Sequence, residues 1–148
     1  MKKLFIMLVF GILSMSTLLA QKLTFDDIKI VAKILDESCP IMIDDETRCD
    51  HFDAMEDNNG IIMQYTFTLI NRLVTNYSDT EITLFKILQE KKLIKILQED
   101  PKMEIIRENN ITVTFLYYDK NHSLFMLFKL TPEKYKAPIV PIISGDRV

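Results

Sequence analysis

Apolar residues recur at helical spacing from Phe25, with Phe25, Ile28, Val31, Ala32 and Leu35 on one side and Asp26, Asp27, Lys29, Lys33 and Asp36 on the other. Thr24, with Asp27 three positions on, gives this helix a start close to a capping box. Pro40 ends it near Ser38, because a proline pushes the residue before it out of the α region. Ile41-Met42-Ile43 then reads as a short extended segment.

From Thr47 the pattern changes to alternation. Thr47–Met55 and Ile61–Asn71 flank Asp57-Asn58-Asn59-Gly60, whose Asn-Gly pair suits the positive φ angles of a tight hairpin turn. Ile61, Met63, Tyr65, Phe67 and Leu69 share one face of the second strand. Gln64, Thr66 and Thr68 take the other, which predicts one buried and one wetter side.

Ser78-Asp79-Thr80-Glu81 is a full capping-box signature and opens a second helix. Ile82, Phe85, Leu93, Ile96 and Leu97 form one stripe, but Leu84, Ile87, Leu88 and Ile94 lie elsewhere around the wheel. The helix is therefore expected either to be buried on more than one side or to break near Lys91-Lys92. Lys-Ile-Leu-Gln-Glu occurs at 86–90 and again at 95–99. That offset puts the copies on opposite faces of a helix, so they are not a structural repeat. Asp100-Pro101 stops the helix and caps a short one over Lys102–Glu108. After Asn109-Asn110, a second hairpin joins Ile111–Tyr118 to Ser123–Thr131, with Asn121 expected as its left-handed turn residue.

This order predicts an α+β fold of helix–hairpin–helix–hairpin, with about four antiparallel strands in one sheet and the helices packed on one face. The chain divides into a secretory signal at 1–20, one domain at 21–135 and an apolar, Pro-containing tail at 136–148. Lys2 and Lys3 precede an apolar run from Leu4 to Leu13, and a more polar stretch leads to cleavage after Ala20 or, alternatively, Ser16. No cysteine near either site offers a lipid attachment. The alternative is an uncleaved membrane anchor over residues 4–20. In the tail, Pro138 and Pro141 argue against a central strand, leaving an edge strand, a docked arm or a flexible partner-binding segment.

Composition narrows the function. The 148 residues are 48% hydrophobic and 26% charged, which suits one ordinary globular core. Without residues 1–20 the chain has sixteen basic and twenty-one acidic residues, a net charge of −5. An acidic domain with no basic stripe argues against nucleic acid and anionic lipid surfaces as partners. The membrane is expected to be met only through the N-terminal segment.

Chemistry has few footholds. Cys39 and Cys49 are the two cysteines, and in an oxidising compartment they are a candidate disulfide; the alternative is two unpaired thiols. His51 lies in the acid-rich 44–57 segment, which raises a metal-dependent or enzymatic alternative. The EF-hand spacing fails there, and neither His51 nor His122 has a histidine companion at ligand spacing. Gly60 and Gly145 cannot build a phosphate-cradling loop, and no GxSxG elbow occurs. No catalytic, cofactor-binding or metal-ligating residue is therefore assigned, and no cofactor is expected. Three Asn-x-Ser/Thr acceptor patterns, at Asn76, Asn110 and Asn121, matter only where a host glycosylates.

Cys39-Pro40 through Asp44-Asp45-Glu46-Thr47-Arg48-Cys49-Asp50, followed by Tyr65-Thr66-Phe67-Thr68-Leu69-Ile70-Asn71 and Tyr117-Tyr118-Asp119-Lys120-Asn121, resembles a group of small exported bacterial proteins with no assigned activity. The resemblance covers most of the chain after the signal and implies export, but carries over no functional residue. Cys49 stands where that group usually has an apolar residue, so the disulfide is not part of what it implies.

The leading expectation is an exported non-catalytic binding module for a protein or small ligand. Its candidate interaction residues are Arg48, Tyr65, Tyr117 and Tyr118, with Phe125 among the exposed or half-exposed aromatics. For Arg48 the plainer reading is an ion-pair network with Asp44, Asp45 and Asp50. The alternatives are the metal-dependent protein built on His51 and an envelope assembly component held by its uncleaved N-terminus.

Overall fold

Both predicted capping boxes form. The Thr24 hydroxyl accepts from the Asp27 backbone N–H while the Asp27 carboxylate accepts from the Thr24 N–H, which starts helix α1 (Phe25–Asp36). Ser78 and Glu81 repeat the exchange at the start of α2 (Asp79–Glu99). The computed structural model describes residues 22–138. The signal segment at 1–20 and the tail beyond Pro138 lie outside the described residues.

Five strands form one sheet: β1 (Ile41–Met42), β2 (Thr47–Asp57), β3 (Gly60–Leu69), β4 (Thr112–Asp119) and β5 (Leu124–Leu130), in the spatial order β1-β2-β3-β4-β5. Two short helices, α3 (Glu104–Glu108) and α4 (Pro132–Lys136), bring the α-helices among the described residues to four. The α+β class is as expected, but the sheet departs from four antiparallel strands in two ways. The short extended segment after Pro40 joins the sheet as an edge, pairing Ile41 with Cys49 and Met42 with Arg48. More consequentially, β3 and β4 are parallel. The second helix explains this: at 21 residues it rises about 31 Å, close to the roughly 33 Å of ten-residue β3, and carries the chain back to where β3 began. A strand that starts at the same end must run the same way.

Alternation divides the sheet into two faces. Cys49, Phe52 and Ala54 of β2 pair with Phe67, Tyr65 and Met63 of β3, and this row continues through Phe115 and Tyr117 to Phe128 and Met126. All of these are buried, in one cluster with Ile28, Ala32 and Leu35 of α1, Leu93 and Leu97 of α2, Ile106 of α3 and Tyr135 of α4. The helices therefore lie on one face. The opposite face carries His51, Asp53, Gln64, Thr66, Thr114 and Lys129, with Leu124 and Leu127 each 50% exposed.

Three local expectations are corrected. Helix α2 runs unbroken through Lys91-Lys92 and is not buried all round, because Leu84, Ile87 and Leu88 face outward. Leu97 is fully buried while Leu88, its counterpart in the duplicated pentapeptide, is 57% exposed, as opposite helix faces require. In the first turn only Gly60 takes positive φ, at 121°, while the Asp57 carboxylate accepts from the Asn59 N–H. In the second the left-handed residue is His122 (φ 61°), not Asn121. Asp119 sets that choice by accepting from the N–H groups of both Asn121 and Ser123.

Candidate functional site

Helix α1 packs over β2 while α2 leans on β5, so the middle of the sheet lies beneath a gap between the two. That gap is a cleft of about 690 Å³, within the range of small-ligand and peptide pockets. Its floor follows from the parallel register, which sets Tyr65 beside Phe115 and Phe67 beside Tyr117. The rings stack across the strands at 5.1 and 4.9 Å between centroids, with planes 24° and 25° apart. Phe52 closes the row edge-on to Tyr65. Four near-parallel rings make a stiff apolar platform, because aromatic side chains lose little freedom on packing.

One wall is α2, which presents Phe85, Gln89 and Leu93 to the cleft. Gln89 Nε2 donates to the Tyr117 hydroxyl at 3.1 Å, and burial pushes the Tyr117 phenol up to about 12, so it stays neutral. The Tyr65 hydroxyl donates to Met63 Sδ at 3.0 Å. Burial raises its pKa as well. Neither phenol is poised to act as a base.

The other wall is the loop between β1 and β2, where Ile43, Asp44, Glu46 and Thr47 line the mouth. The Asp44 carboxylate shapes it by accepting from the N–H groups of Glu46 and Thr47 at 2.9 and 2.8 Å. Arg72 ties the two walls together. Its Nη2 donates to Glu46 at 2.7 Å and its Nη1 to the Tyr77 hydroxyl at 3.2 Å, while the guanidinium lies 5.8 Å from the Phe85 ring centre. Lys92 and Asp100 add charge to the rim. Leu88, which lines the cleft, and Leu84, one turn before it on α2, are 57% and 54% exposed.

The sequence-derived candidates fall in different places. Tyr65 and Tyr117 were expected on an exposed surface; they are 4% and 7% exposed, on the cleft floor. Phe125 is likewise buried, also against the cleft. Alternation places both: Tyr65 shares the buried face of β3 with Met63 and Phe67, and Tyr117 shares the buried face of β4 with Val113 and Phe115, so an exposed role for either conflicts with its strand's own pattern. Tyr118 is half-buried on the opposite face. Arg48 is on that face too, pairing with Asp50, whose carboxylate also accepts from Thr68. Asp44 belongs instead to the rim loop, so the expected network shrinks to one pair. Sequence reasoning missed Arg72, because its partner Glu46 is 26 positions away and no local pattern links them.

His51 Nδ1 pairs with the Asp36 carboxylate of α1. Among the described residues no three His, Cys, Asp or Glu side chains come together as a metal site would require, so the metal alternative at His51 and the 44–57 segment has no geometry there. Cys39 and Cys49 do meet, with sulfurs 3.9 Å apart as free thiols. Burial raises the pKa of both, so neither is activated beyond an ordinary thiol as a catalytic nucleophile would be. Among the described residues no helix is long and apolar enough to cross a membrane.

Two solved structures share the fold. One is a protein from Pseudomonas aeruginosa described as a proposed secreted protein, with a TM-score of 0.54 at 8% identity, over 73% of this chain and 88% of that one. The other is a pilotin of the Vibrio vulnificus type 2 secretion system, with a TM-score of 0.52 at 11% identity, over 74% and 89%. No curated protein matches in sequence. Residues 23–127, spanning the cleft's two walls and most of its floor, match a single family, and this chain belongs to it: a domain of unknown function, DUF8479.

Proposed function

We propose that this protein is an exported, non-catalytic adaptor that holds an apolar segment of a protein partner in the cleft between α2 and the sheet. The observation that carries this reading is the cleft itself, with an aromatic floor, a charged rim and exposed Leu84 and Leu88 beside its mouth. Such a site suits a segment with one apolar face, which would bury its side chains on the rings and leave its polar edge to Lys92, Asp44 and Glu46. Burial keeps the two phenols on the floor neutral, which suits a surface that packs against apolar groups. The likeness to a pilotin of a type 2 secretion system supports a protein ligand in a secretion setting.

Export rests on the N-terminal segment, Met1–Ala20, read as a signal that is removed. Intact mass of the protein recovered from its native host separates that from an uncleaved anchor, which would retain those residues. The cleft is tested by placing a photo-crosslinking amino acid at Leu88 and, separately, at Leu127 on the opposite face. A single protein crosslinked from position 88 and not from 127, and lost when Leu84 carries a charge, is the expected result. Equal capture from both positions, or none from 88, rejects the cleft as the binding site.

A further inference from the structure

We propose that Cys39 and Cys49 are a disulfide site whose bond closes a covalent ring around the cleft's rim loop. Their sulfurs are 3.9 Å apart, so a bond of about 2.05 Å needs each side chain to move by only about 1 Å. Three further observations support the pairing. Cys49 is fully buried and shielded from other molecules' thiols, while Cys39 is half-buried and is the one of the two that a donor can reach. Cys49 is locked in the ladder opposite Ile41, two residues after Cys39, which fixes the two backbones beside each other. The Cys39 thiol donates to the Leu35 carbonyl at 3.8 Å, placing the pair where α1 ends and the sheet begins.

The ring would contain residues 40–48, and four of these, Ile43, Asp44, Glu46 and Thr47, line the mouth of the cleft. Without the bond, the loop is held by the Ile43 N–H to Thr47 carbonyl bond at 2.8 Å, by Asp44 and by the Glu46–Arg72 pair. Closing a short ring restricts the loop in every state the chain visits. The bond forms by thiol–disulfide exchange with an oxidised dithiol donor, either a small-molecule disulfide or a disulfide-bearing oxidoreductase. The half-exposed Cys39 thiolate attacks one donor sulfur, making a mixed disulfide and breaking the donor's S–S bond. Cys49 then attacks Cys39 Sγ, the donor leaves as two thiols, and the two protons from Cys39 and Cys49 end on them. The protein is oxidised by two electrons and the donor reduced by two.

The chemistry is independent of any partner; only its effect on the mouth rests on the adaptor reading, so the two can fail separately. Purified, reduced full-length protein is incubated with oxidised glutathione, denatured and treated with N-ethylmaleimide. The expected product takes up no label, is about 2 Da lighter than the reduced chain and yields one crosslinked peptide containing Cys39 and Cys49. Two labelled thiols, or stable glutathione adducts, would overturn the proposal. Backbone hydrogen exchange is then compared between the oxidised and reduced forms. Exchange at Ile43, Glu46 and Thr47 slows several-fold on oxidation if the ring clamps the loop, and exchange unchanged there overturns the clamp. A Cys39→Ser chain serves as control and must show no oxidation-dependent change.

Discussion

Asp119 shows how one side chain can organise two segments distant in sequence. It is 1% exposed, and its carboxylate accepts from Val74 at 3.0 Å and from Asn121 and Ser123 at 2.9 Å. The Val74 N–H is the largest of the effects that hold its pKa below the ordinary 3.8, and the two turn N–H groups add to it. A depressed native pKa means the stabilisation is complete above the ordinary value and disappears as pH falls through the lower, native one. Asp119→Asn is therefore expected to unfold at lower denaturant concentration at pH 7, with the gap to wild type narrowing toward pH 3. A gap that is constant with pH would contradict this account. Tyr135 plays a comparable part at the C-terminal end, 1% exposed and donating to the carbonyls of Ile111 at 2.9 Å and Ile106 at 3.2 Å. The Ile106 carbonyl also accepts from the Ile111 N–H at 3.1 Å, so the phenol is an added donor there. Tyr135→Phe should thus lose about 1–2 kcal/mol in denaturant unfolding, and a neutral result would mean that water replaces the phenol.

At the scale of elements, the ends of the helices are set by local chemistry and respond to local change. Ser78→Ala removes the hydroxyl that accepts from the Glu81 N–H, and is expected to destabilise the protein by about 1 kcal/mol. Thermal melting measures this directly, and Ser78→Asp, which can still cap, should restore most of the loss. Gly60→Ala tests the first hairpin. A methyl group there meets nothing within 4 Å, yet φ of 121° strains any L side chain, so a loss of about 1 kcal/mol or more is expected from backbone conformation alone. Such features were legible in the sequence because their partners are three or four positions apart: Thr24 with Asp27, Ser78 with Glu81, Asp57 with Gly60. What was not legible depends on distant pairing. Nothing near Ile111 reveals that β4 will lie beside β3 in parallel, and that one fact sets Tyr65 against Phe115 and Phe67 against Tyr117 to make the stacked floor of the cleft. Two-residue β1 falls below any periodic signal and is a strand only because Cys49 and Arg48 lie opposite. Leu84 and Leu88 did break the stripe of α2 visibly, but their exposure gains meaning only beside the cleft.

The whole molecule pairs a well-packed sheet with a cleft that its helices leave uncovered, and this makes stability and recognition separable. Leu84 and Leu88 are more than half exposed, so replacing both with lysine removes little packing, and the melting temperature should stay within the shift expected for about 0.5 kcal/mol per site. Partner capture should nevertheless fall sharply, because a lysine pair beside the mouth opposes burial of an apolar segment. Leu127→Lys, at 50% exposure on the opposite face, makes the same chemical change away from the cleft and should leave capture intact. Salt provides an independent check. Binding driven by the ring platform should weaken little as ionic strength rises, whereas binding led by the rim charges Lys92, Asp44 and Glu46 should weaken markedly once they are screened beyond about 8 Å. Capture that survives high salt but not the Leu84/Leu88 change assigns recognition to the apolar interior. The reverse pattern would move it to the rim, and the four stacked rings would then be core packing alone.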